Sequence, residues 1–150
     1  MEIIIRDANI ADIPDIKAIE DLSFTDPWHR EGFESALDAA GEIFLAAVLD
    51  GKVIGFIAGS DNGDHGYIEK VAVSPHHRRM GAAGLLLREF ERRLNEECGF
   101  MVLEVRQSNE AAVSAYEKYG FEKIGVRKRF YSHPSEDGVI MQKNLERQSI

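Results

Sequence analysis

Two rhythms of apolar and polar residues run along the chain, and their order predicts the elements. Ile3-Ile4-Ile5-Arg6 is a short apolar run closed by a charge and a turn at Asp7 to Asn9, the pattern of a strand. From Ala11 to about Leu22 the rhythm becomes helical. Ile13, Ile16 and Ile19 recur every third residue, and Pro14 stands in the first turn, where its missing N–H costs nothing. Phe33 and Leu37, four apart, mark a second helix over about Arg30 to Ala39. Ile43 to Leu49 reads as a strand, Asp50-Gly51 as a hairpin turn and Lys52 to Ala58 as the returning strand. Gly59 to Gly66 is predicted to be a turn-rich polar loop. Tyr67 to Val73 forms the next strand, with Ile68, Val71 and Val73 in an apolar run that Pro75 stops. Beyond it, Leu85, Leu86, Phe90 and Leu94 define the buried side of a helix whose Arg88, Glu89, Arg92 and Arg93 face water. Phe100 to Val105 is a strand, and Glu110 to Tyr119 a helix capped by Ser108 or Asn109 and closed by Gly120. Phe121 to Arg129 and Gly138 to Leu145 complete the chain as two strands joined by Tyr131 to Asp137. The order β-α-α-β-β-β-α-β-α-β-β predicts one α/β domain over residues 1–150, without repeats or linkers.

Composition narrows the function classes. The net charge of −8 argues against direct nucleic-acid binding, which wants a basic face. That charge is compatible with a basic peptide or protein partner, and equally with general solubility. Cys98 is the only cysteine, so neither an internal disulfide nor a thiolate metal cluster can form, and it reads as a structural thiol. The acids and His65 between Gly59 and Gly66 lack calcium-loop spacing and read as a solvated loop, so no metal is expected. No run approaches the ~20 apolar residues of a membrane span. The first residues lack the flanks of a signal peptide, so a cytoplasmic location is expected.

Candidate chemistry gathers around the Tyr67–Glu91 stretch. Between its strand and helix lie Arg78-Arg79-Met80-Gly81-Ala82-Ala83-Gly84, two cations followed by small residues. Small residues admit a ligand to the backbone, and a helix N-terminus suits a phosphate. An anion site and an ordinary βα connection fit this loop equally well. It lacks the lysine and hydroxyl of a P-loop, and it is not the Gly-x-Gly-x-x-Gly of a dinucleotide fold. In the strand after the helix, Met101, Leu103 and Val105 point one way while Val102, Glu104 and Arg106 point the other. A carboxylate inside a sheet needs a partner or a task. Tyr116 and Tyr119 on the following helix are core aromatics or hydroxyl donors. Phe24 to His29, with Trp28, either plugs the core edge or walls a groove.

These residues carry a resemblance. Arg78-x-x-Gly81-x-Ala83 after an apolar strand and proline resembles the acyl-CoA pyrophosphate loop of the GNAT N-acetyltransferases. Leu103-Glu104-Val105-Arg106-x-Ser108-Asn109, Ala112, Tyr116 and Gly120-Phe121 are similar to the bacterial ribosomal-protein-alanine N-acetyltransferases. Phe24-x-x-Pro27-Trp28, Phe33, Gly125-Val126-Arg127, Tyr131 and Glu136-Asp137-x-x-x-Met141 extend the likeness over nearly the whole chain. It implies a single GNAT-type α/β domain. Its mixed, mostly antiparallel sheet would have about six to seven strands, with four helices on two faces. It also implies direct acetyl transfer from acetyl-CoA to the N-terminal amine, alanine first, of a small-subunit ribosomal protein, with Glu104 as general base and Tyr116 as general acid. The main chain of Val71, Ala72 and Val73 would line the pantetheine arm, Arg78, Arg79, Met80, Gly81, Ala82, Ala83 and Gly84 the pyrophosphate, and Asn109 would bond the cofactor. Trp28, Glu69 and Tyr131 would meet the substrate, with Glu69 a rival base to the preferred Glu104. The chain departs from the family pattern at Ala82 and Ala83, at His29 and at Phe130. Other readings are a GNAT acting on a small amine or a lysine side chain, and a non-catalytic acyl-CoA-binding domain.

Overall fold

A computed structural model describes residues 2–23, 30–132 and 134–146. The expected Phe24–His29 wall, with Trp28, lies outside the described residues. The chain runs β1 (Ile4–Asp7), α1 (Ile13–Ser23), α2 (Arg30–Asp38), β2 (Glu42–Leu49), β3 (Lys52–Asp61), β4 (His65–Val73), α3 (Ala82–Arg93), β5 (Phe100–Arg106), α4 (Glu110–Tyr119), β6 (Glu122–Tyr131) and β7 (Glu136–Asn144). The strands form one sheet in the order β1-β2-β3-β4-β5-β7-β6, antiparallel except for β4 beside β5. The expected α/β architecture, strand count and helix count are therefore present.

Alternation along the strands builds two apolar layers. Leu45, Ala47, Ile57, Ile68, Met101, Leu103 and Met141 face α3 and α4, packing on Leu86, Leu87, Phe90 and Val113. Phe44, Ala46, Phe56, Ala58 and Ala72 face α1 and α2, against Ile13, Ile16, Ile19 and Phe33. Phe33 meets Phe56 edge to face at 5.8 Å, and each such buried ring contributes roughly 2–3 kcal/mol. Arg6 holds the start of α1 with two bonds to the Asp12 carboxylate, at 2.7 and 2.9 Å.

Three expectations are corrected. Gly59 to Gly66 is mostly strand, with a turn only around Asn62–Asp64. Gly59 and Gly66 serve packing: a Cβ on Gly59 would stand 2.2 Å from the Tyr67 carbonyl oxygen and 2.8 Å from the Phe90 ring. The central helix begins at Ala82, so Ala82, Ala83 and Gly84 form its first turn and not a loop, and Leu87 is buried where Leu85 is only half-buried. The last hairpin is longer than expected, with Tyr131 already paired to Glu136.

Candidate active site

The sheet divides at its centre. Parallel pairing of β4 with β5 covers only His65–Ile68 against Phe100–Leu103. Beyond that rung β4 stays paired with β3 through Gly55↔Val73, while β5 stays paired with β7 through Arg106↔Gly138. Lys70 to Val73 therefore present backbone groups with no strand on the β5 side. Unpaired backbone groups inside a fold call for a partner, and an extended ligand chain can supply it. The register with β3 also slips between Ala58 and Gly59, where Lys70 and Ile68 are their partners, so Glu69 is the extra residue of a bulge.

The open edge leads to the arginine loop. Pro75–His77 makes a short 3₁₀ turn, Arg78 is extended, and Arg79 takes a left-handed φ of 66°. Gly81 caps α3 with φ 85°, a conformation that suits glycine, and its carbonyl accepts from the Leu85 N–H at 3.1 Å. A Cβ at Gly81 or Gly84 would meet nothing within 4 Å, so both border open space. Arg78, Arg79 and Met80 are exposed, and neither guanidinium has an ion-pair partner among the described residues. Free cations beside the unpaired N–H groups of a helix start suit a pyrophosphate. Asn109 caps α4, its Oδ1 accepting from the Ala112 N–H at 3.2 Å, which leaves its amide N–H groups available.

Glu104 is the first residue of β5 beyond the last β4 rung. Its neighbours Leu103 and Val105 are in the α3/α4 layer, so its side chain lies on the α1/α2 face, where its carboxylate is 9% exposed. Tyr67 reaches it from β4, donating its O–H to Oε2 at 2.6 Å, and Arg127 of β6 stands 3.8 Å from Oε1. Burial, and then the bond to Glu104, raises the Tyr67 phenol well above its ordinary pKa, so it remains a donor. Sequence reasoning did not single out Tyr67. The signal available was its place on the face that Glu104 shares, visible only once the parallel register is known. The rival Glu69 is exposed on the bulge, and partial burial raises its pKa against the pull of Lys70. Lys70 is itself held by Glu20 of α1 at 2.8 Å.

Tyr116 approaches from the other side. It projects from α4 into the α3/α4 layer, edge-on to Phe121 at 5.9 Å, and crowding around its hydroxyl raises its pKa. Tyr131 lies close enough to Tyr116 to add to the rise in its pKa, and close enough to feel the Glu104 charge. Burial first, and Glu104 second, push Tyr131 up to about 12. Arg106 fixes its ring, stacked at 4.6 Å, while bonding Glu136 at 3.3 Å; Glu136 in turn accepts from the Ser108 N–H at 2.5 Å. The Glu104 carboxylate thus lies on one face of the sheet where β4 and β5 part, and the protonated Tyr116 phenol lies in the layer on the other face. The first can take a proton and the second can give one.

Comparison with known proteins identifies the family. The pattern of the acetyltransferase (GNAT) family matches residues 13–121. The chain is 30% identical over 139 residues to a putative [ribosomal protein bS18]-alanine N-acetyltransferase of Bacillus subtilis, covering 91% of this chain and 92% of that one. It is 30% identical over 155 residues to an N-alpha-acetyltransferase of Saccharolobus solfataricus, covering 94% and 92%. The crystal structure of the ribosomal-protein-S18-alanine N-acetyltransferase from Escherichia coli superposes with a TM-score of 0.86 at 27% identity, over 99% of this chain and 97% of that one. With that pattern laid over the divided sheet and its arginine loop, the chain belongs to the GNAT family of acetyl-CoA-dependent N-acetyltransferases.

Proposed function

We propose that the chain acetylates protein N-termini, alanine first among them, and that a small-subunit ribosomal protein is its substrate in the cytoplasm. Two of the similar proteins bear names for that alanine acetylation, and the archaeal relative is named for N-alpha-acetylation in general. The observation that carries the reading is Glu104, a nearly buried carboxylate at the point where the central strands part.

In the proposed mechanism the pantetheine arm lies along the open edge of Val71, Ala72 and Val73. Arg78, Arg79, Met80 and Gly81, with the first turn Ala82–Gly84, hold the pyrophosphate, and the Asn109 amide bonds the cofactor. Trp28, Glu69 and Tyr131 border the peptide. An α-amino group has a pKa near ~8, so most of it is protonated at neutral pH. Glu104 takes that proton, directly or through water, and the amine nitrogen attacks the thioester carbonyl. The new N–C bond forms, the C–S bond breaks as the tetrahedral intermediate collapses, and Tyr116 protonates the departing thiolate. Direct transfer in a ternary complex requires no enzyme nucleophile.

The test is mass spectrometry of acetyl-CoA incubations with alanine-initiated peptides, N-terminally blocked lysine peptides and small amines. Acetylation of the free N-terminus is expected. Modification of only the lysine or small-amine acceptors would transfer the assignment to that branch of the family.

A further inference from the structure

Glu104 has two oxygens, and they have different surroundings. Oε2 accepts the 2.6 Å bond from Tyr67, while the ion-pair partner of Oε1 among the described residues is Arg127, at 3.8 Å and 55% exposed. A glutamate side chain has three rotatable bonds, and holding it in one geometry costs on the order of 1–2 kcal/mol of entropy. Backbone pairing holds Glu104 only on the β7 side, through Glu104↔Ile140, because β4 has left the ladder one residue earlier at Ile68↔Leu103. Tyr67, paired with Val102 just below the parting, is a stiff aromatic that spans the widening gap from the last paired rungs.

We infer that Tyr67 is a positioning residue: its hydroxyl occupies Oε2 and fixes the carboxylate so that Oε1 alone is offered to the incoming amine. The raised pKa of the phenol agrees with a fixed donor and not with a second base. Arg127 leaves the way to Oε1 open, since it is beyond hydrogen-bond distance and half in solvent. This inference rests on Glu104 being the base.

A purely structural strut would tie β4 to β5 and act on stability and on both substrates. A positioning bond acts on turnover through Glu104 alone. The experiment compares Tyr67→Phe, Glu104→Gln and the double variant, with acetyl-CoA and an alanine-initiated peptide. Tyr67→Phe keeps the ring and removes the donor. A charge-assisted bond of this kind corresponds to a loss of kcat of about tenfold or more. The peptide KM, the acetyl-CoA Kd and the melting temperature are expected to stay close to wild type. Adding Tyr67→Phe to Glu104→Gln should cost nothing further, because the carboxylate it orients is gone. Normal kcat in Tyr67→Phe beside an impaired Glu104→Gln, or losses that multiply in the double variant, would overturn the inference while leaving the base in place. A fully active Glu104→Gln enzyme would remove the base assignment and this inference together.

Discussion

Replacing Glu104 by Gln separates the chemistry from the fold. The amide keeps the shape and can still accept the Tyr67 hydroxyl, so the 2.6 Å bond has a successor. Arg127 loses a 3.8 Å contact while 55% exposed, which costs less than ~1 kcal/mol. What disappears is the proton acceptor, and kcat/KM at pH 7 should fall by about 100-fold. The variant can use only amine that is already neutral. With an α-amino pKa near ~8, that is about one tenth of the peptide at pH 7 and about nine tenths at pH 9. Its rate should therefore rise roughly ninefold over that range while the wild type changes little, shrinking the defect from ~100-fold to ~10-fold. Release of free CoA thiol with an alanine-initiated peptide, followed at both pH values, reads this directly. A variant as active as wild type at pH 7, or a defect of the same size at pH 9, would refute Glu104 as the base. A dead Glu69→Gln enzyme in the first case would place the base on the bulge.

The first turn of α3 and the phenol can be tested in the same way. Gly81→Val puts a β-branched residue at φ 85° and fills open space beside the arginines, so calorimetry should show acetyl-CoA affinity weakened about tenfold or more. Unchanged affinity would remove the anion site. Tyr116→Phe should bind acetyl-CoA normally and turn over slowly at every pH. Because burial raises the Tyr116 pKa, the wild-type kcat profile should show no fall at the ordinary phenol pKa near ~10, and a fall centred there would contradict that environment. Asp12→Asn removes the carboxylate bonded twice by Arg6, and thermal melts should show about 2 kcal/mol of lost stability, less than a fully buried pair because Arg6 is partly exposed. The Arg6 bond holds the Asp12 pKa below that of an ordinary carboxylate, so its stabilisation is present above that ordinary value. It is lost as pH falls through the depressed pKa, and Asp12→Asn melts should lack that part of the acid sensitivity.

Much of this architecture was legible because local signals and tertiary packing agree. Asp50 and Gly51 take φ of 51° and 78°, the turn their sequence announces, and alternation in Met101–Arg106 puts Glu104 on the face opposite Leu103 and Val105. The failures come from residues with two meanings. Gly59 and Gly66 read as turn formers, yet they are small because Phe90 and Leu94 of α3 press against them. The small run after Arg79 read as loop, yet Ala82 is buried in a helix start. The bulge at Glu69 and the Tyr67–Glu104 bond, 37 residues apart, depend on a strand register that no local pattern encodes.

The division of the sheet has a kinetic consequence. On the proposed roles, acetyl-CoA enters along α3 and α4, and the peptide along α1 and α2, so each has its own doorway. Neither product blocks the other's exit, and neither substrate must leave before the second arrives. The reactants meet only where β4 and β5 part, and elsewhere the sheet is the wall between them. Such a partition favours two-substrate kinetics in which both bind before either product departs. It also lets the peptide face diverge toward new N-termini while the cofactor face is left unchanged.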